Sequence, residues 1–329
     1  MGKRTSKALH AAQAIGVAGA AAFCLANALV DFSLNPRAPL TMGKLMKLGE
    51  ASATNNGKQA LTDVFFTPEE RDWFERNRIS ASIVAQDGTK LFGWEFPANE
   101  QNASRHRYVI VLHGYSGKPS DMARWAKRFH DEGYTVIAPA LRGHERNRDT
   151  GYIRMGEEDA RDLPSWVGSV ISRDPDAQIL LLGLSMGATT VMLASGQTLP
   201  RNVRCAIADC GFSNVWDVFT SIVKKNVHVP ASPFINLMNV ACKARLHLDL
   251  RAIDCLPSLR HASIPFLFVH GGADDFVPTS MAHDCFNACA SPQKQLLIIP
   301  SAGHGMSASV NPSRYWACID DFTRSHIPS

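Results

Sequence analysis

The eight cysteines include no Cys-x-x-Cys pair, so the chain lacks the spacing of a zinc ribbon or of a thioredoxin-type redox site. Cys285 and Cys289 lie one helical turn apart and read as buried thiols. Strongly basic stretches are also missing: the formal charge is +4 over 329 residues, and the aromatics do not interleave with Arg or Lys as a nucleic-acid platform requires. Nucleic acid is therefore not an expected partner, and no metal or cofactor is called for. There is no internal repeat or low-complexity tract. Long apolar runs are scarce as well. The nearest to one is Ala14 to Val30, 17 residues, which as a helix covers about 25 Å and only reaches the lower limit for spanning a bilayer.

That run sits in a recognisable setting. Lys3, Arg4 and Lys7 precede it without an acid, and Ala8 to Val30 is apolar except for His10, Gln13 and Asn27. Residues 1–34 read as a signal peptide or signal-anchor, with Ala26-Asn27-Ala28 resembling a cleavage site; the competing reading is an amphipathic helix on the folded domain. The charge asymmetry puts the N-terminus in the cytoplasm, so the expected location is the cell membrane with the remainder outside, or secreted if the segment is cut. On this reading a chain starting near Asn35 is soluble and active. Residues 35–78 form a connecting segment that includes Thr67-Pro68-Glu69-Glu70, a capping box with Pro at the first helical position.

With 45% hydrophobic residues, the chain suits one α/β domain plus an attachment or cap. The domain is placed at 79–329. It opens with a hairpin, Ile79 to Ala85 and Leu91 to Phe96 about a two-residue Asp87-Gly88 turn. Strands at Tyr108 to Leu112, Tyr134 to Ala138, Ile179 to Leu182, Val203 to Ala208, Phe266 to Val269 and Gln295 to Ile299 then alternate with helical stretches. Alternation of this kind means a parallel sheet covered on both faces. Between 211 and 263 the pattern is interrupted by two helical stretches, Asn214 to Asn226 and Pro233 to Leu246, which read as a small cap.

Gly183-Leu184-Ser185-Met186-Gly187 stands where the apolar strand meets a helix. A turn that sharp needs small neighbours, and it offers the Ser185 hydroxyl outward beside the helix's free N–H groups. Ligands in open α/β sheets bind beyond the carboxyl ends of the strands. Those ends carry His113-Gly114-Tyr115, Ser185, Asp209, His270 through Asp275, and Ala302-Gly303-His304-Gly305. Serine is a poor nucleophile until a base takes its proton, and that base needs a carboxylate to fix its tautomer. His304, between glycines after the last strand, is the best base; His113 and His270 precede Gly in their turns and read as loop braces.

These motifs, with Arg142-Gly143-His144, His270-Gly-x-x-Asp274-x-x-Val277-Pro278 and Gly303-His304-Gly305-Met306-Ser307, resemble the α/β-hydrolase superfamily. More narrowly they resemble bacterial exported or membrane-anchored serine hydrolases related to prolyl-oligopeptidase-like esterases. The resemblance runs from about Ile79 to the C-terminus. It implies an α/β-hydrolase fold, a mostly parallel central sheet with helices on both faces, and a triad of Ser185, Asp274 and His304. Asp209 is the rival acid, since some members take it from the preceding strand. The resemblance also implies an oxyanion hole on the backbone N–H groups of Tyr115 and Met186. Where relatives often have Asp-x-Arg-Gly-His-Gly-x-Ser, this chain has Ala140 through Asn147 with Glu145 after the His, a departure that bears on the pocket wall and leaves the triad untouched.

The expected activity is that of a carboxylesterase on a small ester or acyl substrate. A peptidase or acyltransferase with the same triad is the alternative, and a non-catalytic membrane-tethered binding protein is a more distant one. The cap residues Trp216, Phe219, Phe234, Leu237 and Met238 are the expected acyl wall.

Overall fold

The computed structural model describes residues 19–45, 66–98, 106–227 and 230–328. Eight strands form one sheet in the order β1-β2-β4-β3-β5-β6-β7-β8: β1 (Ile79–Val84), β2 (Lys90–Phe96), β3 (Arg107–Leu112), β4 (Thr135–Pro139), β5 (Gln178–Leu184), β6 (Val203–Asp209), β7 (Phe266–Gly271) and β8 (Lys294–Ile299). The hairpin β1-β2 is antiparallel and joins β4 antiparallel, while β3 to β8 pair in parallel.

Parallel strands buried on both faces explain the continuous apolar runs, and their residues divide strictly between two cores. Along β5, Ile179 and Leu181 join one core; Leu180, Leu182 and Leu184 join the other. One face of the sheet is covered by α4 (Glu157–Ile171), α5 (Met186–Ala194), α8 (Cys255–Leu259) and α9 (Thr279–Ala288). The other is covered by α2 (Pro68–Asn77), α3 (Ala123–Asp131) and α11 (Pro312–His326). The short α10 (Ser307–Val310) leads into α11. Pro164 lies inside α4 without dividing it.

The interruption after β6 is α6 (Val215–Val227) and α7 (Ala231–Leu246). Its two stems are pinned together: Asn214 bridges Asp254, and the Cys255 N–H donates to the Ser213 carbonyl at 2.7 Å. The cap is thus an insertion with a closed base. Phe219 and Met238 pack into the main core and Trp216 lies under Arg251.

Three local expectations need amendment. The hairpin loop has three residues, not two: Gly88 N–H donates to the Ala85 carbonyl with Gly88 at φ 84°, and Ala85 N–H then reaches the Thr89 carbonyl. That is a tight turn followed by a glycine bulge. The capping box at Thr67 and Glu70 forms, but α2 belongs to the domain, because Phe74 is fully buried and Trp73 stacks on Phe96 at 5.0 Å. The third concerns the N-terminal run. Residues 19–34 form a helix, α1, whose Ala26, Val30 and Leu34 are buried in the main core.

The spacing i, i+4, i+8 is a single helix stripe, and polar groups fix the same helix in place. Asp31 accepts from Tyr152 Oη at 2.9 Å and pairs with Arg245 of α7 at 3.1 Å, and Leu34 carbonyl accepts from Ile153 N–H at 2.8 Å. Residues 1–18 and 46–65 lie outside the described residues. Among the described residues no helix is long and apolar enough to cross a membrane. A chain starting at Asn35 would therefore lose part of the core, contrary to the expectation from sequence.

Candidate active site

The elbow between β5 and α5 is built by exclusion of volume. A Cβ added to Gly183 would lie 2.2 Å from the Gly187 carbonyl carbon, and one added to Gly187 would lie 2.1 Å from the Leu112 carbonyl oxygen. Neither position admits a side chain. Ser185 between them is held at φ 55°, ψ −115°, a conformation costing on the order of 1–3 kcal/mol. Ser185 N–H donates to the Asp209 carbonyl at 2.8 Å, tying the turn to the end of β6.

His304, in the loop after β8, places Nε2 2.8 Å from Ser185 Oγ and Nδ1 2.7 Å from Asp274 Oδ2. The other Asp274 oxygen accepts the backbone N–H groups of Phe276 and Val277 at 2.9 and 2.8 Å. Burial pushes the Asp274 carboxyl up, but His270 and His304 on Oδ2 and the Val277 N–H outweigh it and hold the group well below the usual carboxylate range. It is a carboxylate, and His304 therefore carries its proton on Nδ1, leaving Nε2 to accept from the serine. The Phe276 ring packs on His304 at 5.0 Å.

Asp209, the rival acid, faces elsewhere. Its Oδ2 accepts from Tyr315 Oη at 2.8 Å, which in turn accepts from Trp125 Nε1 at 2.7 Å, and its Oδ1 has no partner. Full burial raises its pKa to about 6, against the Tyr315 hydrogen bond that lowers it. Cys210, the next residue, has Sγ 4.0 Å from His304 Nε2 and is fully buried.

The turn after β3 lies against the nucleophile: a Cβ on Gly114 would be 3.3 Å from Ser185 Cβ. Tyr115 follows it directly. Met186 opens α5, where a backbone N–H has no acceptor within the helix. The residues expected to supply the oxyanion donors thus lie next to the turn that touches Ser185 and directly after Ser185 itself. Two neutral imidazoles brace this region. His113 Nε2 accepts from Leu141 N–H at 3.1 Å with Nδ1 2.8 Å from the Gly114 carbonyl; His144 Nε2 accepts from Ser116 N–H at 3.0 Å with Nδ1 2.8 Å from the Arg142 carbonyl. Arg142 is itself gripped by both oxygens of Asp162, at 2.6 and 2.7 Å, and by Asp87 at 2.8 Å. The Asn147 side chain donates to the Phe92 carbonyl at 3.0 Å and accepts the Phe92 N–H at 2.9 Å. The departure at 140–147 is thus a braced loop.

Sequence reasoning missed two parts of this site. His270 braces more than its own loop, since its Nε2 lies 3.0 Å from the Val277 carbonyl and 3.2 Å from Asp274 Oδ2, so the carboxylate sits between two imidazoles. The spacing His-x-x-x-Asp was the available signal. The contribution of α1 was also missed: Tyr115 Oη donates to the Ser33 carbonyl at 2.6 Å, and no local motif announces a bond across that separation.

Comparison with known proteins agrees with this architecture. An esterase of Pyrococcus furiosus superposes with a TM-score of 0.63 at 19% identity, covering 80% of this chain and 95% of the esterase. The fold is that of the α/β hydrolases. Within that fold, an acylaminoacyl peptidase of Pyrococcus horikoshii superposes with a TM-score of 0.56 at 18% identity over 75% of this chain and 41% of the peptidase. Residues 103–240 match the family model described as serine aminopeptidase, S33. By sequence the chain is similar to an uncharacterised protein of Mycobacterium tuberculosis, 28% identical over 68% of this chain and 70% of the relative. A thermostable monoacylglycerol lipase of a Bacillus species is 34% identical over 26% of this chain and 33% of the lipase. Together these matches show the α/β-hydrolase fold and a sequence similarity to hydrolases over part of the chain.

Proposed function

We propose that the protein is a serine hydrolase that cleaves a carboxylic ester through an acyl-enzyme. The observation that carries the reading is the unbroken relay from Ser185 Oγ through His304 to Asp274, with hydrogen bonds of 2.8 and 2.7 Å. In this mechanism His304 Nε2 takes the hydroxyl proton as Ser185 Oγ bonds to the ester carbonyl carbon. The oxygen's new charge is received by the N–H groups of Tyr115 and Met186, each such donor worth about 3 kcal/mol in the transition state. The imidazolium, stabilised by Asp274, protonates the leaving alkoxide. Water then repeats the sequence on the acyl-enzyme, with His304 again as base. A turn pre-formed by Gly114 and Gly187 costs no reorganisation at the moment of reaction.

The matches to a serine aminopeptidase model and to acylaminoacyl peptidases favour an amide as the second reading. The two differ in the leaving group that must be protonated and share the nucleophile. Wild-type protein should be labelled by a small fluorophosphonate and should turn over p-nitrophenyl esters faster than the matching peptide amides. Ser185→Ala should lose both labelling and turnover, the latter by a factor on the order of 10⁶. Retention of a tenth of the wild-type rate by that variant would refute the assignment of Ser185, and faster amide cleavage would select the peptidase.

A further inference from the structure

The turn that carries Tyr115 also forms one wall of a cavity of about 260 Å³. Its opposite wall is the segment that follows α1, and its floor is the loop after β4. Three cations line it, Lys44, Lys118 and Arg148, with Glu145 as the one acid among its lining residues. Glu145 is already engaged, accepting from Trp94 Nε1 at 3.3 Å. None of the three cations has an ion pair with an acid among the described residues. Arg142, Arg154 and Arg245, by contrast, are paired with acids: Arg142 with Asp162 and Asp87, Arg154 with Glu157 and Glu158, Arg245 with Asp31. Like charges collected in one concavity cost energy unless something negative is meant to enter.

Two of the three, Lys44 and Arg148, are placed by bonds to backbone carbonyls. Lys44 Nζ donates to the carbonyls of Ala38 and Pro39, both at 3.0 Å, and Arg148 Nη2 donates to the Pro36 carbonyl at 2.7 Å. Those bonds satisfy part of each cation's donors and leave the rest directed at the cavity or solvent. Contact between the two walls is close. A Cβ on Gly43 would be 2.3 Å from both Ser116 Cβ and Ser116 Oγ, so the segment after α1 lies directly on the turn and the cavity is not a loose surface gap.

We infer that this cavity is a subsite for a small oxyanion, a carboxylate or a phosphate group, held by Lys44, Lys118 and Arg148 beside the oxyanion turn. The inference rests on the serine-hydrolase reading for its link to catalysis, because Tyr115 is shared between the cavity and the turn against Ser185. At about 260 Å³ the cavity has room for a carboxylate or phosphate head on a short stem. A free α-amine, the group an aminopeptidase must recognise, would meet cations here. The charge selects an acid-bearing ester.

The test uses two esters of matched length, the mono-4-nitrophenyl ester of glutaric acid and 4-nitrophenyl pentanoate, at low and high salt. The wild type should favour the anionic ester in kcat/KM, and added salt should erase the preference, because charges at a cavity mouth are screened within a Debye length. Lys118→Gln and Arg148→Gln should each lower the ratio of anionic to neutral kcat/KM by about two- to fivefold, the size of a partly exposed charge contact. Arg324→Gln, a cation remote from the cavity, should leave the ratio as it is. Calorimetric titration with inorganic phosphate separates a substrate-borne anion from a free one. Phosphate binding that weakens in both variants while the ester ratio stays constant assigns the subsite to a free anion. An unchanged ratio together with phosphate binding that is absent, or equal in all proteins, overturns the proposal. If the wild type hydrolyses neither ester, the esterase reading fails, and the phosphate titration still decides the subsite.

Discussion

Replacing Leu34 by Ala separates a helix that belongs to the domain from one that merely addresses it. Leu34 is fully buried, and its carbonyl receives the Ile153 N–H at 2.8 Å. Truncating a buried leucine removes its transfer energy and leaves a cavity, together about 2–5 kcal/mol. A loss near 3 kcal/mol lowers Tm by roughly 4–6 °C in a domain of this size. Activity should fall as well. Ser33, the adjoining residue, accepts the Tyr115 hydroxyl at 2.6 Å, so a displaced end of α1 loosens the turn that carries the proposed oxyanion donor. The measurements are thermal unfolding and kcat/KM on a soluble ester, with Phe23→Ala as a control on the exposed face of the same helix. A chain starting at Asn35 should be worse than Leu34→Ala, since it also removes Ala26 and Val30 from the core. If Leu34→Ala melts within about one degree of the wild type and the truncated chain is fully active, then α1 does not pack as described and the leader reading of 1–34 stands.

Other perturbations probe the carboxylates. Asp274→Asn should leave the fold intact and lower kcat on the order of 10⁴-fold, because an amide stabilises the wrong imidazole tautomer; steady-state kinetics at fixed pH measures it, and a loss below tenfold would refute the role of Asp274. Tyr315→Phe removes the one donor to Asp209 Oδ2 among the described residues and should cost about 1–3 kcal/mol in denaturant unfolding. The pH dependence follows from the raised pKa of Asp209, about 6 against an ordinary 3.8. The folded state binds a proton more tightly than the unfolded state, so this group's contribution is most favourable below pH 3.8 and declines as pH rises to about 6. Asp274 has the opposite sign: its stabilisation is present above the ordinary carboxylate pKa and is lost as pH falls through the depressed value. Asp209→Asn should flatten the decline between pH 3.8 and about 6, and an unaltered stability profile there would refute the buried-acid account.

What the sequence made legible is what local sterics and periodicity determine. Gly183 and Gly187 are required by contacts of 2.2 and 2.1 Å, so the elbow is written in its own five residues. The central parallel strands are apolar on both faces, and the cap's helices carry their own periodicity, which is why both were placed within a few residues. The hairpin loop was misjudged by one residue because Asp87-Gly88 fits a two-residue turn and a bulged three-residue turn equally well; the register of β1 on β2 selects the latter. The role of α1 was illegible for a different reason. A weakly polar, Ala-rich helix following three cations satisfies the requirements of a leader and of a packed helix alike. What distinguishes them is a partner surface made by Tyr115, Tyr152 and Arg245, all distant in sequence.

The two candidate acids illustrate how the same residue type acquires opposite properties from its surroundings. Both sit at the carboxyl ends of neighbouring strands and both have buried side chains. Asp274 collects donors on each oxygen, two backbone N–H groups on Oδ1 and two imidazoles on Oδ2. Those donors make the charged form the cheap one, so the group can orient His304 and stabilise an imidazolium. Among the described residues Asp209 has a single donor on one oxygen and none on the other, so burial raises its pKa. Its bonded oxygen faces Tyr315, whereas the His304 Nδ1 is taken by Asp274, so Asp209 does not orient the imidazole. It can anchor Tyr315 and Trp125, which lie in the core on the opposite side of the sheet from the cap. Chain order left both open; the number of donors around each carboxyl favours Asp274 for the proposed chemistry and Asp209 for architecture.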